Sequence, residues 1–122
     1  MRLVSGLDLV EVRRLRELDQ AIYLRFSRRV LTPAELRLGS DAQFLAGRFA
    51  AKEAAAKALG CGIGEIRWQD MEILNDERGA PVIRLTGAAA RRSGSLGITH
   101  WSVSITHTAG LAAAQVIGLG EG

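Results

Sequence analysis

The sequence predicts a single α+β domain spanning residues 1–122. Three observations lead there: a strand-like opening segment, a run of helical patterns through most of the first half, and a return to short β-patterned segments in the second half. A chain of 122 residues is long enough for one compact domain with a modest core. No internal repeat, linker or low-complexity tract interrupts it.

Arg2 to Leu9 alternates apolar and polar residues and reads as a strand broken by Gly6. Asp8 falls at that strand's end, before a helical pattern of Leu9, Val12, Leu15 and Leu18. Ile22 to Leu31 reads as a second helix with Ile22, Phe26 and Val30 on one face. Thr32-Pro33-Ala34-Glu35 is a capping box with proline at the first helical position, and Gly39 stops that short helix. Ser40-Asp41-Ala42-Gln43 offers a second capping box, opening a long helix that ends at Gly60. Gly47 inside it costs about 1 kcal/mol relative to alanine, which implies close backbone packing there.

After a glycine-rich loop, Met71 to Asn75 and Pro81 to Leu85 read as strands joined by Asp76-Glu77-Arg78-Gly79. Ala88 to Leu96 is a short helix. Trp101 to Ile105 and Leu111 to Ile117 form a hairpin around Thr106-His107-Thr108-Ala109-Gly110.

The composition narrows the function. A net charge of +3 and a pI near 9.7 favour acidic partners, whether a phosphorylated small molecule, an acidic protein or nucleic acid. No apolar run approaches the roughly 18 residues that span a bilayer, and Asp8 and Glu11 interrupt any signal-peptide profile, so no membrane association is expected. The lone Cys61 excludes an internal disulfide and fits a reducing cytoplasm. Arg13, Arg14, Arg16, Arg25, Arg28, Arg29 and Arg37 crowd the first third, either as a solvated surface or, taken together, as a docking face.

Of sixteen basic residues only two are lysine, Lys52 and Lys57, and both flank Glu53 in the segment from Arg48 to Gly60. Where an arginine-rich chain keeps lysine, a compact mobile ammonium suits the task better than a planar fork. On a helix Arg48 and Lys52 share one face, Glu53 and Lys57 an adjoining one. Such a surface can hold a pyrophosphate against a hard metal ion. It equally describes an amphipathic helix with a charged outer side, in which Glu53 and Lys57 pair at i, i+4. Asp8 and Glu53 suit magnesium, which takes one or two protein carboxylates with waters and phosphate oxygens; Asp8 also suits an N-cap.

Gly60-Cys61-Gly62-Ile63-Gly64 follows a helix and so is neither a dinucleotide fingerprint nor a P-loop. Its glycines cap the helix and allow a ligand close to the backbone, and Cys61 reads as packing. Ser104, Thr106, His107 and Thr108 supply hydroxyls and an imidazole suited to phosphate. No nucleophile elbow surrounds either serine of a Ser–His pair. His100 and His107 make a poor zinc site. Trp68 and Trp101 are assigned to the core or an interface.

Three blocks together resemble the holo-acyl-carrier-protein synthases of the 4′-phosphopantetheinyl transferase superfamily. Gly6-Leu-Asp-Leu-Val-Glu-Val-Arg-Arg-Leu15 is similar to the family's opening, G-x-D-[IL]-x-E-[IV]-x-R. Arg48-Phe-Ala-Ala-Lys-Glu-Ala-Ala-Ala-Lys-Ala-Leu-Gly60 is similar to its [WR]-[FA]-x-x-K-E-A-x-x-K-A-[LF]-G signature, and Val103-Ser-Ile-Thr-His-Thr108, followed by an alanine-rich strand, to its V-S-[IL]-[ST]-H ending. Order, spacing and length agree over nearly the whole chain. Leu7 and Cys61 depart from the pattern, standing where threonine is frequent.

The resemblance implies an antiparallel sheet packed against a long central helix, and a magnesium-dependent transfer of 4′-phosphopantetheine from coenzyme A to a serine of apo-acyl carrier protein, in support of fatty acid biosynthesis. Adenosine 3′,5′-bisphosphate is the other product. By motif position, Asp8 and Glu53 are the implied metal ligands, with Asp8, Glu53 and Lys57 the catalytic set. Lys57 holds phosphates, Arg48, His107 and Thr108 contact the nucleotide's phosphate groups, and Gly60, Gly62 and Ser104 complete the coenzyme A contacts. Glu53 or a metal-bound water takes the serine proton. Arg13 and Arg14 match the family's carrier-docking helix, which Arg25 and Arg28 extend. A homotrimer with active sites between subunits is also implied.

The competing reading is a non-catalytic basic module binding an acidic protein or nucleic acid. It explains the arginines but not the Lys-Glu-Lys helix, and the interleaved aromatics of single-strand binders are missing. Nucleic acid is therefore not expected as a partner.

Overall fold

The computed structural model describes residues 1–122. Its elements are β1 (Arg2–Glu11), α1 (Val12–Arg16), α2 (Gln20–Val30), α3 (Pro33–Leu38), α4 (Ala42–Leu59), a 3₁₀ turn (Trp68–Asp70), β2 (Met71–Asn75), β3 (Pro81–Leu85), α5 (Gly87–Leu96), β4 (Ile98–Thr108) and β5 (Leu111–Gly120). Strands β1, β5 and β4 form an antiparallel sheet in that order, and β2 and β3 form a separate antiparallel hairpin. The predicted α+β class and the sheet packed on a long helix are both present.

Alternation along β5 shows which side of the sheet meets α4. Ala112, Ala114 and Val116 are buried, while Gln115, Ile117 and Leu119 face outward. Helix α4 is enclosed on nearly every side because its contact positions are small: Ala46, Ala50, Ala51, Ala54, Ala55 and Ala58 are all buried. A helix apolar around most of its circumference belongs inside a fold. Gly6 makes the closest approach possible. A Cβ there would lie 1.8 Å from the Ala54 carbonyl oxygen. Gly6 therefore marks a backbone crossing and does not break the strand, which runs unbroken to Glu11.

This longer strand shifts the next elements. Asp8 lies within β1 and caps nothing; Glu11 occupies the N-cap of α1, and Leu9 is an exposed strand residue. The inner face of α2 is formed by Tyr23, Phe26, Ser27 and Val30, with Ile22 exposed. The capping box at Thr32 forms as the sequence predicts, but α4 is capped by Asp41, whose carboxylate accepts from the Phe44 N–H at 2.8 Å. The helix therefore starts one residue later than the Ser40 box would set it, with aspartate, an equally favoured N-cap residue, accepting from the third helical N–H.

The β2–β3 hairpin matches the prediction residue for residue, and the Asp76 carboxylate shapes its turn by accepting from the Arg78 and Ala80 N–H groups. The last hairpin is longer than predicted. Thr106, His107 and Thr108 are strand residues, and the turn is Ala109-Gly110 alone, with φ of 51° and 77°. Positive φ at both positions is the two-residue geometry that matches sheet twist.

Candidate active site

Two side chains one helical turn apart on α4, Glu53 and Lys57, face β1. The Lys57 ammonium donates to the Leu7 carbonyl at 2.8 Å and to Asp8 Oδ1 at 3.2 Å. The Lys57 side chain is 56% exposed, so this pair contributes little to stability and stays free to meet an anion. Asp8 and Glu53 line one cleft of about 580 Å³, together with Glu11 and Arg14 and over an apolar floor that includes Phe49 and Leu15. The Trp68 indole N–H donates to Glu53 Oε1 at 3.1 Å.

No three His, Cys, Asp or Glu side chains gather as a metal cage. Two carboxylates at an open cleft beside a lysine fit a magnesium ion that completes its shell with water and phosphate oxygens. They do not make a zinc site, which takes three or four protein donors, chiefly histidine nitrogen and cysteine sulfur.

A second cavity of about 320 Å³ holds Arg16, Gln43, His107, Thr108 and the Ala109-Gly110 turn, and it shares Leu111 with the first. His107 Nε2 lies 2.9 Å from the Gln43 carbonyl, which can only accept, so that nitrogen carries a proton and Nδ1 is left for a ligand. The imidazole lies against Gly47, where a Cβ would sit 3.1 Å from the ring. The close packing predicted at Gly47 thus has a specific partner.

Other predicted residues stand elsewhere. The Arg48 guanidinium is buried and turned toward β2. Its Nε donates to the Ile73 carbonyl at 3.1 Å and its Nη2 to Asn75 Oδ1 at 2.9 Å, and it stacks on the Phe44 ring. Within one chain it is not gathered with Glu53 and Lys57, because the i, i+4 stripe that it shares with Lys52 faces β2 and α3. Lys52 is fully buried and paired with Glu35. Burial pushes its ammonium pKa down, with Glu35 opposing that shift. Ser104 pairs with Gln115 and points to the outer face of the sheet, opposite α4. Strand alternation thus puts Ser104 and His107 on opposite faces of the sheet, although the sequence groups them as one phosphate-binding set.

Gly60 adopts the left-handed C-cap conformation at φ 70°, and beside it the Arg92 Nε donates to the Leu59 carbonyl at 2.9 Å, a cation placed at the negative helix end. A Cβ on Gly62 would meet open space. Burial and Glu65 push the Cys61 thiol pKa up, which fits a packing residue. Arg13 and Arg14 are exposed on α1, Arg25 and Arg28 on α2. Arg28 also lines a third hollow of about 410 Å³ with Arg29, Arg67, Ile63 and Trp68.

Sequence reasoning missed Glu11 in the cleft and the bond from Trp68 to Glu53. No local signal reveals the second, since fifteen positions and a loop separate the two residues. The outer face of the sheet carries Leu3, Leu7, Leu9, Ile117 and Leu119, from 37% to 67% exposed.

Comparison with known proteins bears on this geometry. Residues 5–116 match the model of the 4′-phosphopantetheinyl transferase superfamily. A holo-acyl-carrier-protein synthase of Herpetosiphon aurantiacus is 48% identical, covering 97% of this chain and 99% of its own. One from Natranaerobius thermophilus is 37% identical, covering 92% and 93%. The crystal structure of the Helicobacter pylori holo-acyl-carrier-protein synthase in complex with coenzyme A superposes with a TM-score of 0.84 at 34% identity, covering 94% of this chain and 99% of that one. A Bacillus anthracis synthase in complex with coenzyme A (3′,5′-ADP) gives 0.75 at 34% identity, covering 94% of each.

Proposed function

This chain belongs to the 4′-phosphopantetheinyl transferase superfamily as a holo-acyl-carrier-protein synthase, and on that premise we propose that it moves 4′-phosphopantetheine from coenzyme A to a serine hydroxyl of apo-acyl carrier protein, with magnesium. The single observation that carries the mechanism is the joining of Asp8 and Glu53 in one cleft with the Lys57 ammonium 3.2 Å from Asp8.

In this reaction the serine hydroxyl gives its proton to Glu53 or to a water in the cleft, its oxygen bonds to the phosphorus nearer the pantetheine, and the bond from that phosphorus to the bridging oxygen breaks. The pair of electrons leaves with adenosine 3′,5′-bisphosphate. Charge grows on the departing phosphate, and Lys57 is placed to neutralise it, since its ammonium sits on a half-exposed stem beside the cleft. Asp8 and Glu53 would hold magnesium, which supplies Lewis-acid stabilisation of the phosphoryl oxygens. Gly60 and the open side of Gly62 let the ligand run close to the backbone at the end of α4.

His107 and Thr108 lie in the neighbouring cavity, and Arg48 and Ser104 on other faces, so one chain does not gather the whole predicted set. A homotrimer supports a complete site by bringing a second chain's residues to the first chain's cleft. The uncovered apolar residues of β1 and β5 are the face on which it would assemble, because a patch of leucine and isoleucine rarely stays in water. Arg13, Arg14, Arg25 and Arg28 form the docking surface for an acidic carrier.

The proposal extends to a single catalytic domain from residue 1 to 122, supported by Arg2 pairing with Gly120 across the sheet. It also includes a cytoplasmic setting, in keeping with the lone free cysteine, and a role in fatty acid biosynthesis through the carrier that it would modify.

The test follows release of adenosine 3′,5′-bisphosphate by chromatography, with apo-acyl carrier protein and coenzyme A present. Release that needs the carrier and stops on chelation with EDTA, then returns with magnesium, is the expected result. Release that ignores EDTA would remove the metal from the mechanism.

A further inference from the structure

We propose that Trp68 is a positioning residue for Glu53: its indole N–H fixes one carboxylate oxygen and so turns the other toward the cleft. The proposal rests on the reading of Glu53 as a metal ligand. The Trp68 Nε1 to Glu53 Oε1 distance is 3.1 Å, and no protein group donates to Oε2. Glu53 is half-buried on the wall of the cleft, where an unsupported carboxylate would sample several rotamers. An indole N–H is a donor only, with a single direction, and suits the task of selecting one of them.

The indole itself is held firmly. Its ring packs edge-on to Phe26 of α2, with centroids 6.0 Å apart, and against Phe49 of α4 at 5.7 Å. Phe26 and Phe49 meet each other at 5.1 Å, closing a three-ring cluster. The 3₁₀ turn that carries Trp68 is tied to the end of α2 by Gln69, whose amide donates to the Arg28 and Leu31 carbonyls at 2.7 and 3.1 Å. The Arg29 guanidinium lies 5.9 Å from the indole centroid. The turn is further closed by the Asp70 carboxylate accepting from the Arg67 N–H. A carboxylate on α4 thus takes its orientation from a turn anchored to α2. A group that orients a ligating side chain typically sets metal affinity by about 10- to 100-fold.

The substitution Trp68→Phe keeps an aromatic ring for Phe26 and Phe49 and removes only the donor. Calorimetric titration of magnesium into the protein saturated with coenzyme A should show the metal Kd weakened by about 10-fold or more. Transfer at low magnesium should fall in parallel and recover when magnesium is raised, while the thermal midpoint stays near that of the parent. Equal metal affinity in the Trp68→Phe and parent proteins, beside a Glu53→Gln variant that has lost magnesium binding, overturns the positioning role alone. Undiminished binding and transfer in Glu53→Gln overturns the underlying reading as well.

A second measurement needs no change at Trp68. In a ¹⁵N-labelled Trp101→Phe protein, Trp68 is the only indole. Its N–H resonance should shift as magnesium is titrated in the presence of coenzyme A. A resonance that stays fixed through saturation contradicts the proposal.

Discussion

Lys52 and Glu35 form a buried ion pair at 2.6 Å, with both side chains fully excluded from solvent. Both carboxylate oxygens and the ammonium have further partners in that pocket. Glu35 also accepts from the Thr32 and Ile73 N–H groups, and Lys52 donates to the Val30 carbonyl. One of the chain's two lysines therefore joins α2, α3, α4 and β2, and the other serves the cleft.

Removing one partner leaves a buried charge uncompensated. Lys52→Ala or Glu35→Ala should each lower unfolding free energy by about 3–5 kcal/mol in urea titration. Lys52 faces away from the cleft, so coenzyme A affinity of the folded fraction should be unchanged for Lys52→Ala. A loss below 1 kcal/mol would mean that the pair does not organise this core.

Glycines with identical sequence character should respond in opposite ways. Gly6→Ala drives a methyl into the Ala54 carbonyl, and backbone cannot yield there, so little folded protein is expected. Gly94 in α5 has open space, and Gly94→Ala should raise stability by up to about 1 kcal/mol through helix propensity. Thermal melts of the two variants check both directions.

Element boundaries of α2, the β2–β3 hairpin and α5 were legible to within one or two residues, because capping, turn and periodicity signals are local. The fate of Gly6 was not, since a glycine that breaks a strand and one that admits a crossing helix look alike until the helix is placed. The catalytic candidates divided in the same way. The i, i+4 spacing of Glu53 and Lys57 placed them correctly on one face of α4, whereas the separate duties of Lys52 and Arg48 depend on β2 and α3, which pack from distant sequence. Ser104 and His107 were separated by strand alternation once β4 extended through Thr108.

Gly47→Ala offers a test of the second cavity. Propensity alone predicts a gain of about 1 kcal/mol in helix stability. The added methyl meets the His107 ring and Ile105 at 3.1 Å, so both must shift by a few tenths of an ångström. Coenzyme A affinity should weaken severalfold with little change in thermal midpoint. Unaltered affinity would separate His107 from the nucleotide.

Assembly through the outer sheet face is checked with charge. Leu7 is 60% exposed there. If the chain assembles as the proposed trimer, Leu7→Glu should yield monomers in analytical ultracentrifugation, and transfer should fall with it because the proposed site would span two chains. A parent protein that sediments as a monomer while fully active would overturn that arrangement.

The transfer itself is the most direct test. Purified protein, coenzyme A, magnesium and apo-acyl carrier protein are incubated, and the carrier is weighed by intact-mass spectrometry. The carrier should gain one phosphopantetheine, at a serine, and the gain should be abolished by Asp8→Ala and by Glu53→Ala. A competent carrier that emerges with unchanged mass, or full transfer by both variants, would contradict the proposed function.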